Sequence, residues 1–189
     1  MQMQAIDKEN IAAKAQSATL ILDHLVDALG SEPSCTLRRA MVFVDIDSHP
    51  NTTQADIMER LDAHKSALNR DIEWLYDYGC ILRTPCEYDQ RRIELKSCGY
   101  AKKNLNAALL YFDNNHKSLQ NFLNSLINLF GQHKPTLRDA KIVSVIGLNE
   151  AMTRSDIFDS LYNGPATTDN RAVNNLINFG LVQKKEETK

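Results

Sequence analysis

Apolar residues recur in this chain at spacings of four and three. Near the start they fall at Ile11, Ala15, Ala18, Leu22, Leu25 and Leu29. The same alternation returns at Leu105, Leu109, Phe112, His116, Leu119, Leu123, Leu126 and Phe130. An average repeat of 3.5 residues marks a coiled-coil-like seam, so the pattern predicts packing helices over residues 1–30 and 98–131. The second helix runs from about Cys98 to Phe130, about 50 Å at 1.5 Å per residue, too far for one small neighbour to cover. The two seams therefore predict packing on each other and a homodimer through helices 7–29 and 98–130. His116, on the seam, is expected to be a half-exposed or hydrogen-bonded core histidine.

Between the seams the period changes twice. Leu37, Ala40, Met41, Phe43, Val44 and Ile46 predict a buried helix that His49-Pro50-Asn51 ends. Thr53, with Asp56 three residues on, is an N-cap for a short helix through Leu61. After a turn at Asp62-Ala63-His64, a helix over 65–78 buries Ala67, Leu68, Ile72, Leu75 and Tyr76. Gly79 stands where a left-handed cap needs glycine. Ile81-Leu82-Arg83-Thr84 and Arg92-Ile93-Glu94-Leu95 alternate around the polar turn Glu87-Tyr88-Asp89-Gln90, which reads as a hairpin. Three helices followed by a hairpin make a winged helix-turn-helix over 36–97.

The chain also repeats. Shifted by 100 positions, Thr36, Leu37, Arg38, Ala40, Ile46, Thr53, Asp56, Ile57 and Leu61 meet identical residues at Thr136, Leu137, Arg138, Ala140, Ile146, Thr153, Asp156, Ile157 and Leu161. An unrelated register of this length gives about one or two identities at average residue frequencies. One inserted residue later, Asn69-Arg70, Leu75 and Gly79 meet Asn170-Arg171, Leu176 and Gly180. The fold class expected is mainly α: tandem winged helix-turn-helix modules joined by a long helix, with a small β-hairpin wing. The second module spans 136–189. Its turn is Asn163-Gly164-Pro165, its recognition helix Asp169–Phe179, capped by Thr167 or Thr168, and its wing is truncated after a strand beginning at Leu181-Val182-Gln183.

Composition is that of an ordinary globular chain, 43% hydrophobic and 24% charged, with a formal net charge of -2 over 189 residues. A bulk polycation is excluded, so any surface for nucleic acid must be local. Residues 80–103 supply one: six basic against three acidic side chains, net +3. No apolar run suits a membrane span and the start lacks a secretory signal, so a cytoplasmic, nucleoid-associated protein is expected. The four cysteines include no Cys-x-x-Cys pair and read as reduced thiols. There is no Gly-rich phosphate loop, Gly-x-Ser-x-Gly or His-Glu-x-x-His, and the five histidines lack ligand spacing. No enzyme, metal or cofactor is expected, and no effector can be named.

What remains is chemistry suited to a duplex. Lys65, Ser66, Asn69 and Arg70 share the outward face of helix 65–78. Asn and Arg pair their donors and acceptors with adenine and guanine, whereas Lys and Ser at a helix N-terminus suit phosphate. Arg91 and Arg92 stand at the hairpin tip. In the second module Thr168, Asn170, Arg171 and Asn174 can face DNA.

Residues 53–99, TQADIMERLDAHKSALNRDIEWLYDYGCILRTPCEYDQRRIELKSCG, resemble the DNA-binding core of MarR-type transcriptional regulators. The matching features are Ser66, Arg70, Leu75, Gly79 and Ile81-Leu82, then the wing pattern Asp89-Gln90-Arg91-Arg92 with Leu95-Lys96-Ser97-Cys98-Gly99. The resemblance implies a sequence-specific double-stranded DNA-binding regulator that uses recognition helix 65–78 and wing 83–95. Two other readings stand beside it: a winged-helix protein-interaction scaffold, and a replication or partition DNA-binding protein of a mobile element.

Overall fold

The structure is a computed structural model. It describes the backbone of residues 2–131, 133–149, 152–161 and 166–184, with side chains from Lys14 onward within those ranges, residue 166 excepted. Ile11, the turn Asn163-Gly164-Pro165 and the tail from Lys185 on lie outside the described side chains or residues.

A long helix, α1 (Gln2–Ala28), leads through Gly30 to α2 (Leu37–Ser48). Thr36 caps α2, its side chain accepting from the Arg39 amide. Nine of the twelve residues of α2 are buried, so this helix is surrounded on nearly all sides. Two of the nine are aspartates, and a buried carboxylate persists only with partners. Asp45 takes the Arg60 guanidinium at 2.6 Å. Asp47 accepts from Ser97 Oγ at 2.5 Å and meets His116 Nε2 at 2.8 Å.

A two-residue strand, β1 (Thr52–Thr53), runs into α3 (Gln54–Leu61). Thr53 both ends the strand and starts the helix, with Asp56 completing a reciprocal capping box. Asp62, at φ +46°, closes the turn into α4 (Lys65–Asp77), and Gly79 at φ +67° ends that helix. Strands β2 (Ile81–Pro85) and β3 (Ile93–Ser97) pair antiparallel from Ile81↔Ser97 to Pro85↔Ile93. β1 adds to the outer edge of β3, giving the order β1-β3-β2. This is a winged helix-turn-helix in a mainly helical chain.

The helix expected over 98–131 is not continuous. It comprises α5 (Gly99–Leu109), a 3-10 turn over Leu110–Phe112, and α6 (His116–Phe130). Asp113 and Asn114 both adopt positive φ, +51° and +60°, which no helix accommodates. Asn115 then caps α6 by accepting from the Ser118 amide. The apolar spacing from Phe112 to His116 carries straight across this break, which is why the pattern concealed it. Freed from one axis, α5 packs on α1 and α6 packs on α2. Leu105, Leu109, Leu119 and Leu123 are thereby fully buried within the one chain. Ala15, Ala18, Phe112, His116 and Leu126 of the same seams are only half buried.

A further three-helix unit follows: α7 (Leu137–Leu148), α8 (Arg154–Asp159) and α9 (Ala166–Asn178). Thr136 and Thr153 cap α7 and α8 with the same boxes, to Asp139 and Asp156. Gly180 takes φ +73° beyond α9. α9 begins earlier than the Thr167 or Thr168 cap expected for it. Leu181 and Val182 form a bend rather than a strand, and no strand follows α9 among the described residues. One hydrophobic core runs through both units and the helices between them.

Candidate nucleic-acid interface

α4 buries Leu68, Asp71, Ile72 and Leu75 against the helices beneath it. Asp71 fixes its roll: Arg38 reaches the carboxylate at 2.7 Å and Arg39 Nε at 3.3 Å. Both arginines come from the first turn of α2, so they tie α4 to a helix with nine of its twelve residues buried. Arg39 also lies over Trp74, which stacks on Tyr78 at 4.0 Å between ring centroids. Tyr76, expected to be buried, is instead half exposed, and the Arg83 guanidinium lies over its ring at 4.5 Å.

With that roll fixed, Lys65, Ser66, Asn69 and Arg70 are all exposed. His64, the cap residue of α4, provides no side-chain hydrogen bond to the helix amides; its ring meets Ser66 Oγ at 3.1 Å. Ala67 N–H donates back to His64 O at 3.0 Å, which leaves the Lys65 and Ser66 amides as the uncapped donors of α4.

The wing tip is closed by its own backbone. Cys86 N–H donates to Arg92 O at 2.9 Å and Arg92 N–H to Asp89 O at 2.9 Å. The Asp89 carboxylate accepts from Arg91 N–H at 3.0 Å. These bonds leave the Arg91 and Arg92 side chains exposed at the tip. Tyr88 beside them is 95% exposed. It reads from sequence only as a turn residue, yet an unburied aromatic ring at a wing tip is a candidate contact in its own right.

The cations of the first unit and its neighbours differ in what they hold. Arg38, Arg39, Arg60, Arg83 and Arg138 each hold a carboxylate: Asp71, Asp71 again, Asp45, Glu73 and Asp169 respectively. Lys65, Arg70 and Arg91 are in no ion pair among the described residues. Arg92 acts electrostatically on Asp56, whose carboxyl is held below its usual range mainly by hydrogen bonds from Thr53.

The α9 surface is constructed differently. Thr168, Arg171 and Asn174 are exposed and Asn170 is half buried. Arg154 of α8 donates to Asn170 Oδ1 at 3.0 Å and to Asn174 Oδ1 at 2.7 Å. The two amides expected to face a duplex are therefore already engaged through their oxygens. Asp169 is buried against Arg138.

Among the described residues no cluster of His, Cys, Asp or Glu could hold a metal ion, and no helix is long and apolar enough to cross a membrane. No family model and no curated protein matches the chain. Among solved structures it is similar to the transcriptional regulator SlyA, at 14% identity over 95% of this chain and 99% of that one, TM-score 0.40. It is also similar to Streptococcus pneumoniae FabT in complex with DNA, at 13% identity over 75% and 73%, TM-score 0.35. A third likeness is to S. aureus MepR in a complex with DNA, at 16% identity over 67% and 94%, TM-score 0.33. Likeness at this level is loose and assigns nothing to individual residues.

Proposed function

We propose that this chain is a MarR-like, sequence-specific regulator of transcription that binds double-stranded DNA through α4 and the β2–β3 wing. The observation that carries this reading is the sorting of its cations. Arg38, Arg39, Arg60, Arg83 and Arg138 are consumed by acids, whereas Lys65, Arg70 and Arg91 stand exposed on the helix and wing that such folds turn toward a duplex. Asn69 and Arg70 supply base-edge readers for the major groove. Lys65, Ser66 and the open amides of α4 hold phosphate, and Arg91 and Arg92 reach the minor groove or its flanking phosphates. Thr168, Arg171 and Asn174 add a weaker second contact, with the half-buried Asn170 behind them.

The test is a titration against genomic duplexes, including the one upstream of the protein's own coding sequence, at several salt concentrations. If three phosphates are neutralised, log affinity falls with log salt at a slope of about -2.7. Arg70→Ala lowers specific affinity by about 1–3 kcal/mol and relaxes the preference at one base pair. Arg91→Ala weakens all duplexes alike and flattens the slope by about one. Salt-insensitive or absent binding ends this reading and leaves the protein-interaction scaffold.

A further inference from the structure

We propose that one chain acts as its own dimer: a single copy sets both three-helix units on one duplex about an internal two-fold and reads a non-palindromic site. This rests on the DNA-binding reading above and adds the partner's architecture to it.

The order of parts repeats beyond the units themselves. α1, Gly30, Pro33, Thr36 and α2 are matched by α6, Gly131, Pro135, Thr136 and α7. Gly30 and Gly131 both take positive φ. Where the halves meet, Thr36 pairs antiparallel with Thr136. Leu37 N–H donates to Pro135 O at 3.0 Å, and Leu137 N–H donates to Cys35 O at 2.9 Å. Each bond is the image of the other under the 100-residue shift. Reciprocal bonds between equivalent residues define a local two-fold, the arrangement of an isologous interface.

The leading helices obey the same operation. α1 precedes the first unit and packs on α7 of the second; α6 precedes the second unit and packs on α2 of the first. Two subunits that interlock their terminal helices do this between chains. Here both sets of helices belong to one chain, so assembly costs no association entropy and does not depend on protein concentration.

The backbone of a B-form duplex also carries two-folds perpendicular to its axis, which is why two-fold symmetric readers suit it. Symmetry of the scaffold does not require symmetry of the bases. Arg38 is half exposed, but its equivalent Arg138 is buried with Asp169. Arg39 is replaced by Asp139, the acid of a capping box. The first unit has a three-stranded sheet, and no strand follows α9 among the described residues. The site therefore has a strong half, read by α4 and the wing, and a weak half, read by α9. A cleft of about 440 Å³ at the junction is lined by Arg38 and Arg39 with their shared partner Asp71, and by Arg70 and Lys134, which are in no ion pair among the described residues. It adds positive charge near the axis, where the duplex backbone between the halves would pass.

The experiment selects duplexes from a randomised pool with the full chain, then measures complex mass by native mass spectrometry or sedimentation and maps protection. The expected result is one chain per duplex at every protein concentration, with two unequal protected halves. Arg70→Ala erases the strong half. Arg171→Ala, an exposed substitution that leaves the core intact, erases only the weak half and lowers affinity about tenfold. Two chains on a palindromic selected site would overturn the proposal while leaving DNA binding standing. So would a single protected half indifferent to Arg171→Ala. A pool with no enrichment would overturn the DNA-binding reading and this proposal together.

Discussion

Arg60→Met tests how the helix-turn-helix is held to its support. Arg60, in the last turn of α3, donates from Nε to both Asp45 oxygens at 3.1 and 3.2 Å, and from Nη2 to Asp45 at 2.6 Å. Nη2 also donates to Thr52 Oγ1 at 2.7 Å, tying β1 to the same pair. The methionine stem keeps most of the packing but strands a carboxylate that is only 2% exposed. Breaking a buried pair from one side costs about 3–5 kcal/mol. Arg60 is 29% exposed and His49 Nδ1 lies 3.6 Å from the carboxylate, so the lower end, about 3 kcal/mol, is expected. With a urea dependence of about 2 kcal/mol per molar, the midpoint moves down by about 1.5 M. The measurement is urea unfolding followed by helical circular dichroism and by Trp74 fluorescence. Removing both charges with Asp45→Leu and Arg60→Met returns the cost to about 1–2 kcal/mol, the remainder reflecting the unpaired Thr52 hydroxyl. A single-variant shift under about 0.3 M, or a double variant less stable than the sum of its parts, would refute the account.

Thr53→Ala removes a cap and half of a capping box and costs about 1 kcal/mol by thermal or urea melting at neutral pH. The Asp56 carboxyl is depressed first by the Thr53 backbone N–H bond, which the variant keeps, and second by the hydroxyl bond, which it loses; the hydroxyl's contribution is complete above the unfolded carboxyl range. It fades as pH falls through the lower folded value, so the gap from the parent chain narrows below about pH 4. Gly79→Ala costs about 1 kcal/mol from positive φ alone, since a Cβ there meets nothing within 4 Å. Gly30→Ala costs more, because its Cβ would also come within 3.2 Å of Tyr78 Cδ1. Under native conditions at neutral pH a thiol reagent spares Cys35 and Cys80: burial pushes the Cys80 thiol up to about 12 and Cys35 higher still. Rapid labelling of either, read by peptide mass, would contradict the packing around the sheet.

Local features were legible in the sequence wherever their causes are local. The Thr cap at 53, the glycine at 79 and the hairpin around 87–90 each depend on residues within a few positions, and the caps at 36, 136 and 153, seen only as repeat identities, have the same local cause. The break at 113–115 had a local signal too, three consecutive polar turn-formers with an Asn in capping position, but the apolar register running through it carried more weight. β1 was invisible because two residues cannot show an alternation. The partners of the functional side chains were not legible at all. Nothing in the spacing distinguishes Arg70, which is free of ion pairs among the described residues, from Arg38, which holds Asp71, or reveals that Arg154 reaches Asn170 and Asn174. Those distinctions depend on how the helices roll, and roll is set by tertiary contacts.

The break in the expected long helix and the duplication have one structural consequence. A continuous α5–α6 rod would hold its seam open to a second chain over its distal half. Two positive-φ residues interrupt it, and α6 lies instead on α2. Asp47 then locks the bend from beneath, accepting from Ser97 of β3 while it holds His116 at the first turn of α6, with Lys102 of α5 at 3.8 Å. One buried carboxylate thus gathers the end of the wing and the helices on both sides of the break onto the central helix. Each seam leucine it helps to close contributes about 1.5–3 kcal/mol of burial relative to exposure. Those contributions come from contacts within one chain, so the two three-helix units stay together at any dilution and the spacing of α4 and α9 is fixed by the fold itself.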